Sequence, residues 1–256
     1  MLFNQGNRMA GSSLWIVTGS SRGLGAAMLA QLAARPGAKV LGIARRTQAG
    51  LAGASLEQWA ADLAAPEPAA RRLREWLGGL DGTAFESATL INNAASLTDP
   101  KPIADSELAG TATALRVGLE ATVLLTAAFL DATRGWPGAR RVLNISSGLG
   151  RRAMAGSATY CAIKAGMDHF SRAVALEEQA RPNGARIVSL APGVIDTDMQ
   201  VQLRGADPAA FAERAMFVTL KETGQLAAPD DAARRVLARL DRPGFGAEPV
   251  DDVRNP

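Results

Sequence analysis

Tyr160 is the only tyrosine in this 256-residue chain, and Lys164, one of four lysines, follows it by four positions. In a helix, positions i and i+4 lie on one face, so the spacing sets an ammonium beside a phenol. A free phenol has a pKa of about 10 and releases its proton too reluctantly to cycle at neutral pH. Two unit charges about 4 Å apart interact by about 4 kcal/mol at an effective dielectric of 20. That upper bound still allows the phenol's pKa to fall by about a unit or more, which makes it a usable general acid and base. Ser147 stands at the end of the apolar run Arg141-Val-Leu-Asn-Ile-Ser146, where its hydroxyl can hydrogen-bond an oxygen on which charge changes. Ser147, Tyr160 and Lys164 are therefore the candidate catalytic residues. A tyrosine and lysine at this spacing, taken alone, are more often a half-buried aromatic and a solvated helix residue, so the rest of the chain decides.

Near the N-terminus, Leu14-Trp-Ile-Val17 runs into Thr18-Gly-Ser-Ser-Arg-Gly-Leu-Gly25 and then into an alanine-rich helical pattern to about Ala34. Strand, glycine turn and helix is the context that gives a glycine pattern meaning as a nucleotide site. Gly19 permits the tight turn, while Gly23 and Gly25 let backbone approach a pyrophosphate and the helix pack on the strand. The helix N-terminus then faces the phosphates. Gly19, Ser21, Arg22, Gly23, Leu24 and Gly25 are candidate cofactor-binding residues.

The elements that must position these groups alternate along the whole chain. A second strand, Lys39 to Ala44, ends in Arg45-Arg46, where arginine suits a ribose 2′-phosphate and an acid would suit a free 2′-hydroxyl. A third strand, Leu56 to Ala60, leads to Asp62-Leu63, placed for an adenine ring, and an amphipathic helix covers Pro66 to Leu77. The pattern predicts a fourth strand over Ala88 to Ala95, containing Asn92 and Ala94, and a long helix from Ser106 to Thr133. The fifth strand is expected to end at Ser146-Ser147, the helix of Tyr160 to reach Ala180, and a sixth strand over Arg186 to Leu190 to close in Ala191-Pro-Gly-Val-Ile-Asp-Thr197. Residues 194–225 lose clear periodicity and are expected to form a substrate loop or lid. A last helix over Asp230 to Leu240 and an edge strand at Pro249-Val-Asp251 complete the pattern. Such alternation means one α/β domain, residues 14–256, with a Rossmann-type doubly wound parallel sheet and helices on both faces.

Composition excludes other classes. With 47% hydrophobic residues the chain can bury a large core, and no apolar run in the sequence reaches the roughly 18 residues of a membrane span. Residues 1–13 are polar and lack an apolar core, so they are read as a frayed or appended start and not as a secretory signal. The single cysteine, Cys161, fits a reducing cytoplasm. The net charge of +3 comes from arginines in scattered pairs without aromatic interleaving, which does not describe a nucleic-acid surface. No metal is expected.

With the glycine turn, Asn92-Asn-Ala-Ala95, Ser147, Tyr160-x-x-x-Lys164 and Pro192-Gly193 in this order, the chain resembles the short-chain dehydrogenase/reductase family from about Leu14 to Asp251. The resemblance implies that Ser147 orients a substrate carbonyl, Tyr160 exchanges the proton, and Lys164 binds the nicotinamide ribose and lowers the phenol's pKa. It further implies that Pro192, Gly193, Ile195 and Thr197 hold the carboxamide, that Asn92 and Ala94 close the cofactor site, and that Asp62 and Leu63 meet the adenine. Family spacing favours Ser147 over Ser146. The chain departs from the pattern at Val117-Gly-Leu119, where the family's relay asparagine is replaced by Gly118. This implies either a kinked helix with water in place of the amide or a damaged relay. Pro192-Gly-Val-Ile-Asp-Thr-Asp-Met-Gln200 and the ending Phe245 to Asp251 are similar to the branch holding sepiapterin reductases and microbial benzil reductases. That branch implies an NADPH-dependent carbonyl reductase acting on a small ketone or 1,2-dicarbonyl, with Asp251 matching a pterin-anchoring acid. The alternatives are an alcohol dehydrogenase working oxidatively and a non-catalytic NADP(H) sensor. The resemblance also implies a homodimer, or a tetramer built from dimers, through the helices around residues 108–133 and 157–180.

Overall fold

A computed structural model describes residues 12–51 and 55–255. Residues 1–11 of the expected N-terminal segment lie outside the described residues. Ser13 belongs to the first strand, so the fold begins one residue earlier than expected.

Seven strands form one parallel sheet in the order β3-β2-β1-β4-β5-β6-β7. They are β1 (Ser13–Thr18), β2 (Ala38–Ala44), β3 (Leu56–Ala60), β4 (Ser87–Asn92), β5 (Ala139–Ile145), β6 (Arg186–Ala191) and β7 (Val250–Asp252). From β1 the chain steps outward to β3, returns to the other side of β1 as β4, and steps outward again to β7. The reversal between β1 and β4 leaves a crevice beyond their carboxyl ends, the place where open α/β sheets bind ligands. In register, Val17 sits beside both Gly42 and Ile91, Ile91 beside Leu143, and Leu143 beside Val188.

Alternation along each strand divides the core between the two faces. Leu14 and Ile16 of β1 face helices α2 (Pro66–Gly78) and α4 (Ala121–Ala132), with Leu73, Leu77, Leu125 and Phe129 buried against them. Trp15 and Val17 face α1 (Gly23–Ala33) and α8 (Pro229–Leu240), where Met28, Leu29, Val236 and Leu240 are buried. A sheet covered on both sides needs near-continuous apolar strands, and β1 has only buried residues from Leu14 to Thr18. Strands β4 and β5 are further fixed by a buried polar ladder. The Asn92 amide donates to Thr126 Oγ1 at 3.1 Å and to Asn144 Oδ1 at 2.9 Å, and the Asn144 amide donates to Ser171 Oγ at 2.9 Å.

Four expectations need correction. Strand β4 stops at Asn92 and β5 at Ile145, so Asn93 to Ala95 and both serines lie in the loops that follow. Residues 194–225 are not an open loop, because they carry α6 (Asp198–Arg204) and α7 (Arg214–Glu222). These helices close over a separate small core of Met154, Leu203, Phe211 and Phe217. The helix after β4 is irregular: α3 (Leu108–Leu115) joins α4 through a π turn, Arg116–Glu120, in which the Ala121 N–H reaches back to the Arg116 carbonyl. Leu108–Ala132 together is long and apolar enough to cross a membrane by length and composition, which the sequence reading did not anticipate. In the fold it is the crossover between β4 and β5, with Ala121, Leu125 and Phe129 packed into the core.

Candidate active site

Beyond the carboxyl ends of the central strands lies a cavity of about 940 Å³, within the range of dinucleotide and small-ligand sites. Its walls bring together Ser147 from the loop after β5, Tyr160 and Lys164 from α5 (Ala158–Gln179), the glycine turn, and the loop after β6. Ser147 is extended and caps a short 3₁₀ turn at Gly148–Gly150, with Oγ accepting from Leu149 N–H at 3.2 Å. Its hydroxyl also neighbours the Tyr160 phenol and favours its ionised form. Lys164 is 2% exposed and donates from Nζ to the Ile145 carbonyl at 2.6 Å. The ammonium nitrogen lies 5.5 Å from the centroid of the phenol ring. The i, i+4 placement read from the sequence therefore produces the expected neighbours.

In this structure burial opposes the lowering of the phenol's pKa expected from Lys164. Burial pushes the Tyr160 phenol up to about 12, opposed by the Ser147 hydroxyl and reinforced by the neighbouring Cys161. Burial also pulls the Lys164 ammonium down to about 8, opposed by the Asp168 carboxylate. Desolvation disfavours the charged form of each group and here outweighs their mutual influence. In this geometry the ammonium carries the more readily lost proton of the two.

The other half of the cavity has the features of a phosphate cradle. Helix α1 starts at Gly23 with Arg22 as its N-cap, no side-chain cap and no acid in its first turn, so its first N–H groups are left for an anion. Gly19 has φ +65°, and a Cβ there would lie 2.8 Å from Ala94 Cα. A Cβ on Gly25 would lie 2.2 Å from the Gly19 carbonyl oxygen. The turn therefore admits only glycine at these positions and presses backbone against the end of β4. Ser21, Arg22, Leu24, Arg45, Asp62, Leu63, Ala94, Pro192, Gly193, Ile195 and Thr197 all line the same cavity. This surface fits a dinucleotide: orphan N–H groups for a pyrophosphate, Arg45 at the end of β2 and Asp62 beyond β3.

Three expected positions behave differently. Asn92 does not face the cavity, because as the last residue of β4 its side chain turns into the buried ladder. Asn93 takes that place, lining the cavity and donating from Nδ2 to the Thr18 and Gly19 carbonyls at 3.0 and 3.3 Å. The sequence presented both amides, and the one-residue shift of the strand end exchanged their faces. Arg22 is paired with Asp198 of α6 at 2.8 Å, both side chains being largely exposed. Asp251 is absent from the cavity wall. Its carboxylate is held by Arg239 at 2.5 Å and by Asn255 at 2.9 Å.

The segment expected as a substrate loop or lid lends Met199, Leu203, Met216, Phe217 and Leu220 to the cavity wall. Sequence reasoning missed Leu149, Arg152 and Met154, from the turn after β5, which complete this cap. Asp168, one turn beyond Lys164 and 1% exposed, was missed as well.

Gly118 lies in the π turn, and a Cβ there would sit 2.7 Å from Ile163 Cγ2. A π turn inserted in an α-helix frequently marks a functional site, and here it presses the helix against α5 one residue before Lys164. Replacing Gly118 by asparagine gains only about 0.3 kcal/mol of helix propensity, because asparagine itself ranks low. It also overpacks a β-branched side chain at about 1–3 kcal/mol. We expect a net loss of stability of about 1–3 kcal/mol, visible as a lower thermal midpoint. An unchanged or raised midpoint would show that Ile163 yields freely.

Residues 14–207 match the sequence model of the short chain dehydrogenase family. The chain is 34% identical over 237 residues to a benzil reductase ((S)-benzoin forming) of Bacillus cereus, covering 90% of this chain and 94% of that protein. It is 30% identical over 260 residues to a sepiapterin reductase of Xenopus tropicalis, covering 92% and 94%. Among solved structures, a short-chain dehydrogenase/reductase of Burkholderia vietnamiensis is 33% identical with a TM-score of 0.60, over 95% of this chain and 99% of that one. A candidate NAD(P)-dependent gluconate 5-dehydrogenase of Beutenbergia cavernae, solved with bound NADP at low occupancy, is 27% identical with a TM-score of 0.74 over 96% of each chain.

Proposed function

The chain belongs to the short-chain dehydrogenase/reductase family and is an oxidoreductase, and from that premise we propose that it reduces a ketone or 1,2-dicarbonyl of benzil- or sepiapterin-like shape with NADPH. The observation that carries this reading is the convergence of Ser147, Tyr160 and Lys164 in one cavity with an uncapped helix N-terminus and Arg45. NADPH, when bound, supplies the hydride. Ser147 and Tyr160 then hold the carbonyl oxygen between two hydroxyls, and Tyr160 gives it a proton as charge develops there. The cap of Met154, Met199, Leu203, Met216 and Phe217 offers a flat or aromatic substrate an apolar wall that excludes water. Adaptable methionines suit such irregular contacts. The benzil and sepiapterin reductases among the relatives support this substrate class.

Loss of NADPH absorbance with a panel of diketones, pterins and aromatic ketones tests the reading. Turnover of at least one is expected, and consumption of none would overturn it.

We further propose that the enzyme works in the cytoplasm as a homodimer. Leu108 of α3 is 87% exposed and Leu176 of α5 is 69% exposed, on helices that pack side by side at one flank of the sheet. Burying a leucine side chain contributes about 1.5–3 kcal/mol, and an isologous dimer buries each leucine twice. Sedimentation at micromolar concentration should give a dimer, and Leu176→Glu should shift it toward monomer. A monomeric unmutated protein would refute the assignment.

A further inference from the structure

The face of α5 that carries Tyr160 and Lys164 continues one turn further to Asp168, a carboxylate 1% exposed in the interior. Two hydroxyls converge on its Oδ1, Ser146 Oγ from the loop after β5 and Ser189 Oγ in β6, each at 2.6 Å. Its Oδ2 takes no hydrogen bond from the described residues and faces the Arg151 guanidinium, whose Nε is 3.6 Å away. Gly150 packs so closely that a Cβ there would meet Oδ2 at 2.6 Å and the Lys164 carbonyl at 2.9 Å. Ser146 lies between Ile145, whose carbonyl receives the Lys164 ammonium, and Ser147, which neighbours the phenol.

A neutral amide at this position could accept both serine hydroxyls at a smaller desolvation cost than a buried carboxylate. The serines therefore do not account for the charge, whereas the neighbouring cations do. We propose that Asp168 is a positioning residue of the active site: it fixes the end of β5 that carries Ile145 and Ser147, and supplies the buried negative charge against which the Lys164 ammonium is held. This rests on the Tyr160 and Lys164 reading above. The other groups that face the pair are few. Among the described residues, the loop after β5 contributes the Ser146 hydroxyl and β6 the Ser189 hydroxyl. The π turn contributes apolar contacts, Gly118 on Ile163 and Leu119 on Gly166. Arg151 comes from the turn after β5 and is itself bonded to the Asp251 carbonyl at 3.3 Å and influenced by Asp252 of β7. On α5, Tyr160 and Cys161 lie one turn before Lys164.

With four lysines in the chain, Lys164 can be titrated directly by carbon NMR of lysine-labelled protein, assigned with Lys164→Arg. Asp168→Asn should lower the Lys164 midpoint by about one unit or more, while the Ser146→Ala/Ser189→Ala double variant should leave it in place. Arg151→Gln, which removes the competing cation from a half-exposed site, should raise it. The alkaline limb of reductive kcat/KM should move with each midpoint. An unmoved midpoint in Asp168→Asn, or an equal shift in the serine double variant, would overturn the proposal. Should Asp168→Asn not fold, an unmoved or lowered midpoint in Arg151→Gln would overturn it. Midpoints that move as expected in a protein with no reductase activity would leave the role of Asp168 standing and fell the functional reading instead.

Discussion

Replacing Tyr160 by phenylalanine is expected to lower kcat for carbonyl reduction by about 10²–10⁴-fold, the range that a positioned general acid supplies, while NADPH affinity stays within about twofold, well under the 1.4 kcal/mol of a decade. The substitution keeps the ring and removes only the hydroxyl. That hydroxyl neighbours Ser147, whereas the proposed phosphate cradle is the glycine turn before α1. Stopped-flow or steady-state absorbance reads the first quantity and fluorescence titration with NADPH the second. More than a few percent of residual kcat would remove Tyr160 from the proton transfer. The pH dependence of the unmutated enzyme gives an independent check. Lys164 is charged below about 8 and loses its proton above it, whereas the phenol stays protonated up to about 12. Reductive kcat/KM should therefore hold through neutral pH and decline as pH rises past about 8, the limb belonging to the ammonium and not to the phenol.

Local chemistry was the most legible part of the chain. Tyr160 and Lys164 are bound by helical spacing, and Gly19, Gly23 and Gly25 by a turn whose geometry tolerates nothing larger, so neither depends on distant residues. The strand and helix alternation was legible for the same reason, since a parallel sheet covered on both faces demands apolar runs such as Leu14 to Val17. What escaped reading depends on tertiary context. Helices α6 and α7 have seven and nine residues without a side-chain cap, too short for a strong periodic signal, and they are stabilised by Phe211 and Phe217 packing on Met154 and Leu203. The exchange of Asn92 for Asn93 turns on where β4 stops, and the Arg22–Asp198 pair joins residues 176 positions apart. The phenol's raised pKa is a matter of burial, which a spacing rule cannot weigh. Asp168 was within reach, because 160, 164 and 168 share one helical face.

Changing Arg45 to aspartate is expected to raise the KM for NADPH at least about tenfold, a loss of 1.4 kcal/mol or more, and to improve the use of NADH. Arg45 directly follows β2 and lines the cavity, where a Rossmann-type sheet presents the adenosine ribose. The β2 strand ends in Ala44-Arg45-Arg46 with no acid to grip a 2′-hydroxyl, so NADH lacks a compensating contact. A charge-assisted hydrogen bond to phosphate contributes about 1.5–3 kcal/mol before solvent screening. Arg45 is exposed, and Arg22 can share the phosphate only by leaving Asp198. That pair is 68% and 74% exposed, and exposed pairs are worth about 0–1 kcal/mol, so the exchange is cheap. Together these terms are expected to favour NADPH over NADH by roughly 100-fold, or about 2.8 kcal/mol at 1.4 per decade. Arg22→Ala should move selectivity in the same direction by less, since it removes the guanidinium that must first be freed. The aspartate variant acts twice, removing the cation and setting a carboxylate against the phosphate while offering NADH an acceptor for its 2′-hydroxyl. Steady-state kinetics with both cofactors decide the matter: equal kcat/KM in the unmutated enzyme would refute the role of Arg45 and leave the Tyr160 chemistry untouched.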